Sequence, residues 1–486
     1  MIPKVTINVS EDTQTYYNAT VPFVPVVIMK TESGNIGTPE LVRSESEFIS
    51  KFGKGTTDTP SAYAMQLYMR SFSYAYVTRI ASASAAKGVA KVKATIGETL
   101  TDIIDVETVY KTRSFNGSVV TLNYDSTEKK LFLTVVVNAK TYTSIKETID
   151  LASASTKAPD LELALNKLCD SINDMGLGFV LTNLYVDKVD SDPLPASFTT
   201  LTGSIDSGDS GLTGEISNST ILSAAELYTR QGLTVDVMVV PEFTSNTALM
   251  TELTALGEKY EFMVLASPSV DTLAGALTEV AGYPKSSSLA VYFPNVKYTA
   301  FSANIPACMA VLNAYARNDS VNKWLAPAGT TRATLGLVSE LCTNLNDDQM
   351  SQLYNNPVAV NCIKEISNVG FVVWGQKTTA TSAIYLDRIN ISRLVKYIYQ
   401  EVFRISNQYL FEPITSSTFQ GWNLKVNALL NGLETQGAIS AYTVKMDAEN
   451  NTEATIAENK LIGNVKIRPT EVAEFIDIDF VLTSEV

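Results

Sequence analysis

Residues 223–294 alternate between two hydrophobic periods, and this alternation restricts the fold more than any other feature of the chain. SAAELYTRQG, at helical spacing, precedes the apolar run VDVMVVP; TALMTELTALGEKY precedes FMVLASP, and VDTLAGALTEVAG precedes SLAVYFP. Helix and strand in that order require crossover units and a largely parallel sheet, so the fold class is α/β. Ligands in such sheets sit beyond the strand C-termini. The ends here offer Pro241-Glu242, Ser267-Pro268 and Pro294-Asn295, without the glycine fingerprint of a nucleotide site, and each proline reads as a strand stop.

The flanking regions read differently. Val5, Ile7 and Val9 alternate with Lys4, Thr6, Asn8 and Ser10, a short strand followed by polar SEDTQTYYNAT. VPVVIM is a buried strand, SESEFISKFG a short helix ended by Gly53, and Thr59-Pro60 an N-cap and first helical position. The small-residue linker ASASAAKG opens an inserted α+β domain at residues 88–200, with strands in SVVTLNYD, KLFLTVVV and KTYTSI and a helix over Leu161 to Ile172. Two long helices are expected at 389–410 and 416–435, then strands in AYTVKMD, KLIGNVKIRP and AEFIDIDFVL. In the last of these Ile476, Ile478, Phe480 and Leu482 face one way and Asp477 and Asp479 the other, flanked by Phe475 and Val481. A strand edge left unpaired at either end is a template for another chain.

Composition removes most chemistry. The chain has no histidine, so the usual catalytic triads and most zinc sites are excluded. SGDSGL, residues 207–212, spells a serine-nucleophile signature with no imidazole to take the proton, and reads as a flexible polar turn. Asp187, Asp190 and Asp192 lack the glycine and glutamate of a calcium loop, and no phosphate-binding loop is present. The four cysteines are widely spaced, as buried free thiols are. A net charge of −14 argues against general nucleic-acid binding. No apolar run approaches bilayer length and no secretory signal is apparent, so folding in a cytoplasm is expected. The chain is not expected to be an enzyme or to carry a cofactor or metal.

Two features remain. On the helix from Ile391 to Leu410, Ile391, Leu394, Ile398, Val402 and Ile405 form a core stripe. Across from it Arg393, Lys396, Gln400 and Arg404 line up, with Arg388 just before, as a solvated face or a docking surface for an acidic partner. The stretch WLAPAGTTRATLG, from Trp324 to Gly336, reads as a site or as a loop that docks against something large.

WLAPAGTTRATL, GFVVWGQKTT, RINISRLVKYIYQEVFRISNQYLFEPI and KLIGNVKIRPTEVAEFIDIDFVL resemble, in that order, segments of the contractile tail sheath proteins of bacteriophages. Upstream, GTPELVRSESEFISKFG and the central α/β segments are similar as well, while 88–200 is not. R-type bacteriocins, type VI secretion and extracellular injection machines share this family's fold. The resemblance implies a structural protein whose sheath core combines N-terminal and C-terminal parts, with an inserted outer α+β domain and exchanged terminal β-strand arms. The implied divisions are an arm at 1–20, core at 21–87, insertion at 88–200, α/β sheath domain at 201–370 and tube-proximal domain at 371–486. Its implied partners are copies of itself in stacked six-fold rings, an inner tail tube protein, and baseplate and tail terminator proteins. On this reading Val5, Ile7, Val9, Phe475, Ile476, Ile478, Phe480 and Leu482 exchange between subunits, and Arg388, Arg393, Lys396 and Arg404 face the tube. Pro327 and Gly329 fix the path of a conserved loop over Trp324 and Leu325. A related injection device is the alternative machine, and a soluble α/β enzyme the rival reading.

Overall fold

All of PVVIMK except its last residue is buried, and this run forms strand β1 (Pro25–Lys30). A computed structural model describes residues 23–153, 155–196, 198–381 and 385–475; the strands read at Val5, Ile7 and Val9 and at Ile476, Ile478, Phe480 and Leu482 lie outside them. The chain divides into one unit of Ile28–Leu227 and another of Met1–Val27 with Tyr228–Val486.

In the first unit β2 (Pro39–Val42) pairs antiparallel with β3 (Ala75–Ile80), and helices α1 (Glu45–Phe52) and α2 (Pro60–Ser71) lie between them in sequence. The Ser44 hydroxyl caps α1 by accepting the Glu47 amide at 3.1 Å. Thr59 stands at the N-cap of α2, yet its hydroxyl accepts the Thr56 amide at 2.9 Å instead of a helical one. The inserted segment follows as β4 (Lys87–Ile96), β5 (Thr99–Lys111), β6 (Val119–Asp125), β7 (Lys130–Val137), β8 (Lys140–Thr143) and β9 (Glu147–Thr148). Helix α3 (Ala158–Asn173), β10 (Phe179–Asn183) and β11 (Thr200–Ser204) complete it. One antiparallel sheet runs β10-β5-β4; another runs β11-β6-β7-β8, with β9 on β7. Alternate residues of β4, β6 and β7 point inward, and with the buried stripe of α3 they share one core that includes Val92, Ile104, Leu122, Leu133 and Leu165. The Asn173 amide accepts from Leu181 N and donates to Leu181 O, each at 2.8 Å, and so closes the outer edge of β10.

Arg79 on β3 is fully buried. It donates to Gly34 O at 2.7 Å, Lys111 O at 2.7 Å and Ser210 O at 2.8 Å. Burial pushes its pKa down to about 10, opposed by nearby Glu32, so it stays charged at neutral pH. Ser210 is the serine of GDSG, and here the sequence expectation of a flexible polar turn is corrected. Ser210 is fully buried, its Oγ 2.7 Å from Glu32 Oε2 and 2.9 Å from Glu32 O. Gly208 is needed for closeness, since a Cβ there would meet Thr112 O at 2.2 Å. Arg113 then grips Glu32 at 2.8 and 3.1 Å and Asp58 at 2.6 Å. The turn is a joint that holds the inserted segment, through its flanks, to β1's end and α2's approach.

Helix α4 (Asn218–Arg230) leads into the second unit. There β12 (Val237–Val239), α5 (Thr247–Tyr260), β13 (Met263–Ala266), α6 (Leu273–Val280) and β14 (Leu289–Phe293) alternate as the hydrophobic pattern predicts. After β15 (Val296–Tyr298) come α7 (Ala307–Ala310), α8 (Leu312–Asp319), β16 (Val338–Leu341), α9 (Asp347–Tyr354), β17 (Val360–Ile366) and β18 (Gly370–Trp374). β1, β12, β13, β14 and β17 are parallel in that order, and β18 closes the series antiparallel. The C-terminal part holds α10 (Ile389–Ser406), α11 (Ser416–Thr435), β19 (Ile439–Lys445), α12 (Glu453–Ala457) and β20 (Asn464–Pro469). α10 stops short of the expected residue 410 because Asn407–Tyr409 tighten into a 3-10 turn.

Arg79→Leu would take the guanidinium donor from three carbonyls, two of them in buried bonds, and a loss of about 3 kcal/mol in urea unfolding is expected. Arg79→Lys should recover only part of it, because an ammonium lacks the planar fork.

Candidate assembly surfaces

The basic stripe of α10 does not form one surface. Arg393 is 5% exposed and clamps Asp319 at the end of α8 with bonds of 2.8 and 2.5 Å. Its guanidinium carbon lies 4.9 Å from the Tyr315 ring centroid and 5.9 Å from that of Phe23. Burial opposes its charge, but Asp319 outweighs burial and raises the pKa. Lys396 is 6% exposed, its Nζ 3.4 Å from Glu261 Oε2, and Gln400 donates to Glu261 O at 2.9 Å. Burial pushes Lys396 down and Glu261 up, each opposed by the other. Glu261 is the left-handed C-cap of α5, so cations gather at a helix C-terminus.

The reading of Arg393 and Lys396 as tube-facing is therefore corrected: both side chains are turned into the chain's own fold, where acids distant in sequence neutralise them. Arg388 is partly exposed and bonds Glu474 Oε1 at 2.7 Å as well as Asp387. Arg404 has a side chain 65% exposed, paired with Glu401 at 2.6 Å. The apolar stripe behaves as read: Leu394, Ile398, Val402 and Ile405 pack with Trp422, Val426 and Leu430 of α11.

β19 and β20 pair only with each other among the described residues. Their ribbon leans on α11, and one edge of each strand has no strand partner among the described residues. Two strands alone are marginally stable, and such edges accept a further strand. The chain beyond the ribbon reaches Phe475, which is 81% exposed. Of the residues expected from the sequence to exchange between copies, Phe475 alone lies within the described residues.

The WLAPAGTTRATLG stretch finishes the sheet. Trp324 is buried in the cluster around Leu394 and Tyr397, with Leu325 packed against it, and Pro327 is buried. Asn390 donates to Trp324 O at 3.3 Å and Asn318 to Leu325 O at 2.9 Å. Gly329 has φ +85° and open space where a Cβ would sit, so glycine is required there by the backbone angle. Beyond it Gly329 N donates to Val373 O, Leu335 N to Phe371 O, and Val373 N to Ala333 O, at 2.7 to 3.0 Å, along the outer edge of β18. No cluster of metal-ligating side chains occurs among the described residues. No helix among them is long and apolar enough to cross a membrane.

Residues 384–483 match the phage tail sheath C-terminal domain. The chain is similar to the tail sheath protein of Enterobacteria phage T4, at 29% identity over 219 residues, 44% of this chain and 33% of that protein. The tail sheath protein of Vibrio phage KVP40 is 27% identical over 205 residues, 41% of this chain and 30% of the relative. The chain thus spans about a third of the length of the curated relatives it matches. In fold it is similar to the sheath of an extracellular contractile injection system, PVC, in its contracted state, with TM-score 0.57, 15% identity and coverage of 100% and 98% of the two chains. The sheath tail protein of Desulfitobacterium hafniense gives TM-score 0.58 at 12% identity, over 92% of this chain and 93% of that one. The resemblance to contractile sheath proteins read from the sequence is borne out by these findings.

Arg393→Leu would strand the carboxylate of Asp319, whose side chain is 0% exposed, and is expected to cost about 3 to 5 kcal/mol in urea unfolding. Arg393→Leu with Asp319→Leu should recover most of that loss. Arg404→Glu, by contrast, should change stability by no more than about 0.5 kcal/mol.

Proposed function

We propose that this chain, similar to contractile sheath proteins in its C-terminal sequence and in fold, is the repeating subunit of a contractile sheath. Copies stack helically around an inner tube and shorten on a trigger to drive the tube through a target envelope. The role is structural; the one serine-nucleophile motif is consumed by Glu32. The observation that carries the reading is the β19–β20 ribbon, whose outer edges have no strand partner among the described residues, lying inside the region that matches the sheath C-terminal domain.

The terminal strands at Val5 to Val9 and Phe475 to Leu482 are then the arms that sister copies add to that ribbon. A donated strand of about five residues forms backbone bonds that contribute about 0.5 to 1.5 kcal/mol net each, enough to tether neighbours while rigid bodies swing. SEDTQTYYNAT is the hinge that absorbs the rotation. The 88–200 insertion projects outward, away from the tube. Tube contact must be weak enough to release, which suits the exposed Arg404 and its neighbour Glu401 better than any apolar face.

Electron microscopy of the purified chain tests the reading. The full chain is expected to form polymeric tubes. Chains lacking residues 1–20, or residues 476–486, should stay small while melting within about 2 °C of the parent, since the removed residues belong to neighbours' sheets. Tubes of normal appearance from either shortened chain would refute arm exchange. Charge reversal at Arg404 that leaves assembly around the tube unchanged would refute its tube contact.

A further inference from the structure

Both ends of the described chain contact α10, one through a ring beneath Arg393 and the other through an ion pair with Arg388. At the N-terminal side Phe23 is 7% exposed and lies beneath Arg393, stacked with Tyr315 at 6.1 Å. Val24 N donates to Asp236 Oδ2 at 2.8 Å, and Asp236 N returns a bond to Val24 O at 3.1 Å. Lys323 holds the other Asp236 oxygen at 2.6 Å. At the C-terminal side the Glu474 carboxylate collects three donors: Arg388 Nε at 2.7 Å, Tyr354 Oη at 3.0 Å and Gln376 Nε2 at 3.1 Å. Its side chain is 16% exposed, whereas Phe475, the next residue, is 81% exposed. A groove of about 400 Å³ is lined in part by residues 472–475.

We infer that Arg388 and Arg393, at the N-terminal end of α10, are positioning residues that anchor the roots of both terminal segments to one rigid element. The inference rests on the sheath reading for its use: segments shared between copies transmit the displacement of one copy to the next. A strand pulled from its end peels one residue at a time, so the force it can pass is set by its root. Charge-assisted bonds are the stronger kind available there, and Glu474 concentrates three donors on one carboxylate. Because both roots meet α10, movement of one terminal segment reaches the other through a single helix. Arg388 and Arg393 are thus explained as internal anchors.

The test uses the full chain and a glutamate-specific protease, which must extract the Glu474 side chain before cutting after it. Cutting of the Glu474–Phe475 bond, read by mass spectrometry apart from cuts after Glu471 and Glu485, is expected to be about tenfold faster in Arg388→Leu and close to wild type in Arg388→Lys, at an unchanged melting temperature. Phe23→Ala should accelerate hydrogen exchange at the Val24 amide about tenfold while leaving that cut alone. Tubes of Arg388→Leu should assemble and then break or shorten incompletely when triggered. Equal cutting rates in Arg388→Leu and wild type would overturn the anchor at Glu474. Faster cutting with complete shortening would overturn its mechanical use. If the wild type forms no tubes, the sheath reading falls, and the protease comparison still decides the anchor.

Discussion

A buried cation must find a partner, and in the unit built on the parallel sheet that requirement fixes where the C-terminal helices sit. α10 is covered on two sides. One face meets α11 through Leu394, Ile398, Val402 and Ile405; another carries Arg393 to Asp319 and Lys396 to Glu261. Apolar contacts tolerate sliding, whereas each ion pair forms in one register, because a shift by one turn would strand two buried charges. The pairs add little net stability over an apolar face. Their effect is to make one position of α10 far better than its neighbours, and the loop from Trp324 to Leu335, bound to Asn390 and to β18, depends on that position.

The same logic appears in the other unit, with a different geometry. Arg79 has no carboxylate in direct contact; it is solvated by three carbonyls from segments far apart in sequence. Glu32 meanwhile takes Ser210 and Arg113. Strand ends and turns flanking the insertion are therefore held by directional bonds at their base, while the insertion has an apolar core of its own.

What could be read beforehand follows from what periodicity encodes. Repeats of two and 3.6 residues report how a segment meets its surroundings, so the crossover helices, three of the strands within 88–200 (β6, β7 and β8) and the pair of long C-terminal helices were legible, while β4, β5, β10 and β11 were not. A helical wheel also shows that Arg393, Lys396 and Gln400 share a face, but it does not say what the face meets. Their partners, Asp319 and Glu261, lie in other helices and carry no local signal. One clue was available: α10 pairs its basic face with a single acid of its own, Glu401, where a solvated face interleaves both signs. GDSG misled for a related reason. A motif of four residues describes local chemistry, and Ser210 is occupied by a residue far upstream.

Internal neutralisation also bears on how copies could cohere. With net charge −14 each copy repels the next at long range, and the cations with the best-built surroundings are already spent inside the chain. Net charge therefore supplies no long-range attraction between the copies of the proposed sheath. In the proposed sheath, cohesion then falls to contacts that act at short range, namely backbone pairing along strand edges and burial of apolar side chains. That restriction favours β19 and β20 as the meeting place, since an edge strand offers both kinds of contact and is indifferent to net charge.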